Sequence, residues 1–219
     1  MISDPKLQFF LLLTISFIIV RIPYIGKIFK VVNTMIHESG HAFAALLTSG
    51  EVLGIELFSN SEGVTLTKSK SFFSSFITSL AGYVFSSLCA FFSFYLIKKG
   101  HEQYIFYFFL SIALINIILW VRNIYGIIWL MVFGGLIYYI YVYSNDEIKN
   151  ITSIILSGIL LTESIFSTII IIIKSFTDPK SSGDAANLQK ETHIPAFIWA
   201  IFFLCQAIYL GYRIVLMYI

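Results

Sequence analysis

Apolar positions in this chain come as long unbroken runs separated by short polar stretches, not as the three-and-four spacing of a helix lying on a soluble core. A helix needs roughly 20 residues to cross the hydrocarbon of a bilayer. The runs predict spans at residues 6–22, 28–48, 72–97, 103–121, 123–143, 148–173 and 195–217. No alternating ten-residue pattern of the kind an outer-membrane barrel requires is repeated along the chain. The expected fold is an all-α polytopic membrane protein of about seven transmembrane helices, with residues 1–219 forming one domain.

The second run is the least apolar, because it carries Asn33, His37, Glu38 and His41. Such groups are costly against lipid, so their face must look into the helix bundle or a wet cavity. Ser39, Gly40, Ala42, Ala44 and Ala45 on the same run are small enough to let neighbouring helices approach closely. This helix is expected to be central.

Two connections are long enough to have structure of their own. In the first, the strand-like runs 52–57 and 64–67 flank Ser59-Asn60-Ser61-Glu62-Gly63, which predicts a short β-hairpin-like insertion after the second span. The second, residues 174–194, is polar, and Gly183 followed by Asp184 and Ala185-Ala186-Asn187-Leu188 predicts that Asp184 caps or opens a short helix. Each connection follows an even-numbered span, so both fall on one side of the membrane. Lys and Arg are divided almost evenly between the two sides, which sets no orientation.

Composition sharpens this picture. Of 219 residues, 58% are hydrophobic and 12% charged, and the mean hydropathy is +0.87, so the lipid bilayer is the relevant solvent. The net charge of +2 is small and its basic residues are scattered, which argues against nucleic acid as a partner. Cys89 and Cys205 lie in separate apolar runs with no CxxC spacing and read as small core residues. The first apolar run is followed by Arg21-Ile22-Pro23, not by a small-residue cleavage site, and is expected to be a retained span.

The chemistry resides in His37-Glu38-Ser39-Gly40-His41, an HExxH pattern. Residues four apart share a helix face, so His37 and His41 are positioned to hold one zinc ion, with Glu38 beside them to act as general base on its water. That is the core of a metal-dependent hydrolase. A catalytic zinc usually has three protein ligands, so a third must come from elsewhere. Asp184 and Glu163 are the leading candidates, with His193 and His101 behind them. Glu163 lies inside an apolar span, where a carboxylate implies a function; Asp184 lies in a loop, where capping a helix already accounts for it. The residues alone do not separate these two. Asn33, one turn before His37, is a candidate to orient it, and Asn116 is a candidate to polarise a carbonyl or to bond between helices.

The segment from Met35 through His41 to Gly50 resembles the zinc helix of the bacterial branch of the site-2-protease family of intramembrane metallopeptidases. Leu80-Ala81-Gly82-Tyr83, Val121-Arg122-Asn123-Ile124-Tyr125-Gly126, Asp184-Ala185-Ala186-Asn187-Leu188 and Thr192-His193-Ile194-Pro195 fit that branch as well. The resemblance implies that Asp184 stands at the family's distal aspartate ligand, which favours it over Glu163, although Ala185 follows where the better-known pattern has glycine. It also implies an extended edge near the active site, in agreement with the hairpin, and a bacterial cell membrane as the location. The expected activity is zinc-dependent endoproteolysis within or beside the membrane, on a membrane-protein or peptide substrate. An edge at residues 52–57 would hold that substrate extended. The rival readings are a zinc-binding membrane scaffold without proteolysis, against which Glu38 argues, and a transporter using His37, Glu38, His41 and Glu163, against which the absence of an internal repeat argues.

Overall fold

The computed structural model describes residues 4–219. Eight α-helices and one hairpin follow in the order α1 (Pro5–Arg21), α2 (Ile25–Leu47), β1 (Glu51–Leu57), β2 (Gly63–Lys68), α3 (Phe72–Lys98), α4 (Gln103–Ile115), α5 (Ile124–Tyr143), α6 (Asp146–Thr177), α7 (Asp184–Thr192) and α8 (Ala196–Tyr218). The last turn of α4 widens into a π-helical segment, Asn116–Trp120. Large apolar side chains face outward, as Phe73, Phe92 and Val132 do, while Ser16, Ser39, Ser87, Thr162 and Thr168 are buried and bonded to backbone carbonyls of the preceding turn. This inversion of the soluble pattern is what a lipid solvent selects: apolar groups gain nothing by leaving it, and hydroxyls find acceptors on neighbouring turns.

Five helices are long and apolar enough to cross a membrane singly: α3, α4 with its π-helical turn, α5, α6 and α8. The first two expected spans differ from the sequence reading, since α1 and α2 meet at 108° and qualify only together, as a broken span or a re-entrant loop. Among the described residues the count is therefore five or six, where about seven were expected. The corner has a local cause. Pro23 interrupts the helical backbone, Tyr24 takes a φ of 63°, and Gly26 sits against the Val20 carbonyl, where a Cβ would clash. Outside the bend, Arg21 and Lys30 both reach Glu163 on α6 and tie the two arms to that helix.

α2 is central, as its small residues predict, and packs on α1, α3, α6 and both strands. A Cβ at Gly40 would lie 2.8 Å from the Phe85 Cβ, so only glycine lets α3 come this close. The hairpin is antiparallel, with Ile55 opposite Thr65 and Leu57 opposite Gly63. β1 is also covered on its other side. Arg122 N–H donates to the Ile55 carbonyl at 3.1 Å, and the Asn123 carboxamide bonds both backbone groups of Leu57, at 3.1 and 2.6 Å. The edge expected to be free at residues 52–57 is thus occupied at Ile55 and Leu57. Because backbone groups in an antiparallel pair alternate in direction, Gly63 and Thr65, opposite those two residues, turn theirs to the outer side of β2.

Candidate metal centre

α2 presents His37 and His41 one turn apart, and α7 brings Asp184 to them from the far end of the chain. The Asp184 Oδ2 lies 3.3 Å from His37 Nε2 and 3.2 Å from His41 Nε2, and the two Nε2 atoms are 3.1 Å apart. These three residues are the group of His, Cys, Asp and Glu among the described residues that can hold a metal.

The tautomer is settled by a neighbour. His41 Nδ1 lies 2.6 Å from the Thr78 carbonyl, which can only accept, so Nδ1 carries a proton and Nε2 is the ring atom left to take a metal. Asp184 Oδ2 is buried with no hydrogen-bond partner among the described residues. Burial alone would raise the Asp184 carboxyl, but the imidazoles of His41 and His37 beside it hold it well below the usual carboxylate range. Three atoms of metal-ligating type therefore converge on one point. Zinc with nitrogen and oxygen ligands at about 2.0–2.2 Å in tetrahedral geometry sets ligand atoms about 3.3 Å apart, and the observed separations of 3.1–3.3 Å fit it.

Two helical features make this approach possible. Gly183 precedes α7 with a φ of 56°, turning the chain so that Asp184 opens the helix as the sequence predicts. Gly82 on α3 faces the histidines, and a Cβ there would stand 2.5 Å from His37 Nε2 and His41 Nε2. The next residue, Tyr83, packs its ring edgewise on His37 with centroids 4.5 Å apart.

Glu38 lines the same cavity of about 610 Å³ as His37, His41 and Asp184, together with β2 and α6. Thr65 on β2 donates its hydroxyl to Glu38 Oε2 at 2.6 Å. Gly63, two residues earlier, lies so near that a Cβ would come within 2.8 Å of Glu38 Oε1. The hairpin is thus seated directly on the glutamate.

The other sequence candidates fall elsewhere. Glu163 pairs with Arg21 at 2.9 Å and Lys30 at 3.8 Å and lies outside the His37, His41 and Asp184 group. His193 is exposed at the end of α7 and His101 is exposed after α3. Asn116 ties α4 to α2 by donating to Ser39 Oγ at 2.8 Å. Asn33 lines the cavity without a bond to His37 among the described residues. Both cysteines are free thiols. Thr65 and Thr78 were beyond sequence reasoning, since a threonine in a strand and a backbone carbonyl carry no chemical signature of their own; Asn123 lies in a stretch that carries the resemblance, but its bonds to Leu57 were not foreseen.

Among known proteins, a family described as Peptidase M50B-like matches residues 10–212. No curated protein and no solved structure matches.

Proposed function

Because the chain belongs to the M50B-like peptidases, we propose that it is a zinc-dependent endopeptidase that cleaves membrane-protein or peptide substrates within or beside the bilayer. His37, His41 and Asp184 hold the metal and Glu38 is the general base. The observation that carries this reading is the convergence of His37 Nε2, His41 Nε2 and Asp184 Oδ2 at tetrahedral spacing in one cavity with Glu38. Zinc bound there supplies Lewis acidity and lowers the pKa of a water molecule toward about 7.

The residues of the chain do the rest. Glu38 takes the proton of the attacking water on its carboxylate and passes it to the leaving amine nitrogen. Thr65 fixes the Glu38 rotamer through its bond to Oε2. The Thr78 carbonyl holds the tautomer of His41. A substrate helix shields its own carbonyls, so a segment must unwind before attack, and the outward backbone groups of Gly63 and Thr65 offer that segment a strand to pair with. The occupied edge of β1 moves this role to β2.

The test is zinc content per chain in detergent-purified wild type, Asp184→Ala, Glu163→Gln and Glu38→Gln, with turnover measured alongside. Near-stoichiometric zinc lost only in Asp184→Ala, with turnover lost but metal kept in Glu38→Gln, is the expected result. Zinc-loaded wild type whose turnover is unaffected by Glu38→Gln would make the site structural and withdraw the peptidase mechanism.

A further inference from the structure

One wall of the cavity carries a second polar group. Asn33 is 7% exposed, lines the cavity, and its Oδ1 has no hydrogen-bond partner among the described residues. A buried amide oxygen left without a donor is costly, so its persistence points to a partner that arrives with a ligand. One turn earlier on the same face is Lys30. Glu163 already holds Arg21 at 2.9 Å, whereas Lys30 Nζ stands 3.8 Å away, at the limit of an ion pair. Two cations and one carboxylate leave this group with one net positive charge. The other acid on this wall, Glu62, accepts from Asn60 Nδ2 at 2.7 Å and is exposed at the hairpin turn.

Helix geometry places the group relative to the metal. At about 1.5 Å per residue, Asn33 lies roughly 6 Å and Lys30 roughly 10 Å along α2 from His37. An extended peptide advances about 3.3 Å per residue, so these distances match the second and third residues from the scissile bond. The direction follows from the hairpin. Thr34 donates to the Ser61 carbonyl at 2.7 Å and Thr65 reaches the Glu38 carbonyl at 3.1 Å, so β2 runs the same way as α2. A segment added antiparallel to β2, the more stable pairing, carries its C-terminal side toward Asn33 and Lys30.

We propose that Asn33 and Lys30 form a substrate subsite on the C-terminal side of the scissile bond, in which Asn33 bonds the substrate backbone and Lys30 selects an acidic side chain at the third residue after the cut. This rests on the peptidase reading. Glu163 is shared between Arg21 at 2.9 Å and Lys30 at 3.8 Å, so the looser of the two cations has charge to offer a ligand.

The experiment uses a pool of fluorescein-labelled dodecapeptides of small and apolar residues, each carrying one Asp, Asn or Lys at varied positions, in detergent micelles. Wild-type protein cuts the pool and mass spectrometry reads the positions; Glu38→Gln protein binds the same peptides without turnover, followed by anisotropy. Expected are enrichment of Asp at the third residue after the cut and roughly fivefold tighter binding of Asp than Lys peptides. Lys30→Gln, added to either protein, abolishes both preferences, and Asn33→Ala weakens all peptides about equally, roughly five- to tenfold. Cleavage with no charge preference, or a preference that survives Lys30→Gln, overturns the subsite and leaves the peptidase intact. Charge-selective binding lost in Lys30→Gln, with no cleavage by zinc-loaded wild type, keeps the subsite and overturns the peptidase. Absence of peptide binding overturns the subsite.

Discussion

At the scale of single residues, the centre depends as much on what is missing as on what is present. Gly82 leaves the space in which the two Nε2 atoms meet, and a methyl group there would press on both at 2.5 Å. Helix α3 is anchored over 27 residues and cannot back away cheaply. Gly82→Ala is therefore expected to lower zinc stoichiometry severely while helix content by circular dichroism stays unchanged; full zinc in that variant would show that α3 yields. Thr65→Val is the complementary case. It removes the hydroxyl bonded to Glu38 at 2.6 Å without touching a ligand, and should lower kcat about tenfold, the value of one hydrogen bond to a charged group, with zinc content unchanged. His37, Glu38 and His41 were legible because their relation is a helical period. Asp184 was not separable from Glu163 on the same terms, since the choice depends on Arg21 and Lys30 claiming Glu163, and that contact joins residues far apart in sequence.

At the scale of elements, the hairpin is held to the cavity from the opposite side. The π-helical turn Asn116–Trp120 ends α4 early and releases an extended stretch, in which Val121 bridges Ile55 and Asn123 bonds Leu57 through both ends of its carboxamide. A side chain thus completes the row of bonds that a third strand would make, and β2 is left as the available edge. Asn123→Ala should loosen β1, raise amide exchange across Leu57 and the adjoining β2, and lower kcat more than zinc content. Unchanged exchange would assign the hairpin's position to α2 alone. The runs of apolar residues located the helices within a few positions, and the turn residues located the hairpin. The 108° corner between α1 and α2 was not legible, because Pro23 marks a break in the helix but not its angle, and the cover over β1 was not, because it is set by which distant surface the chain meets and not by local propensity.

At the scale of the molecule, the site can form only because three segments reach the same side of the membrane. Two spans, α3 and α4, separate the hairpin from residues 121–123, and two more, α5 and α6, separate those from the segment that leads to Asp184. An even number of crossings returns the chain to the side it left, so this holds whether α1 and α2 count as one broken span or two. The parity expected from seven spans survives the loss of one, because the correction falls before the hairpin. Asp184, 143 positions beyond His41, is thereby brought to it by four helices that contribute no ligand. Single cysteines in a background with Cys89 and Cys205 replaced test this in intact membrane vesicles with an impermeant thiol reagent. Ser59→Cys at the hairpin turn and Lys180→Cys before α7, both exposed, should react from one face, and His101→Cys, after an odd number of crossings, from the other. Labelling of Ser59→Cys and Lys180→Cys from opposite faces would separate Asp184 from the histidines, and with it the metal centre from this fold.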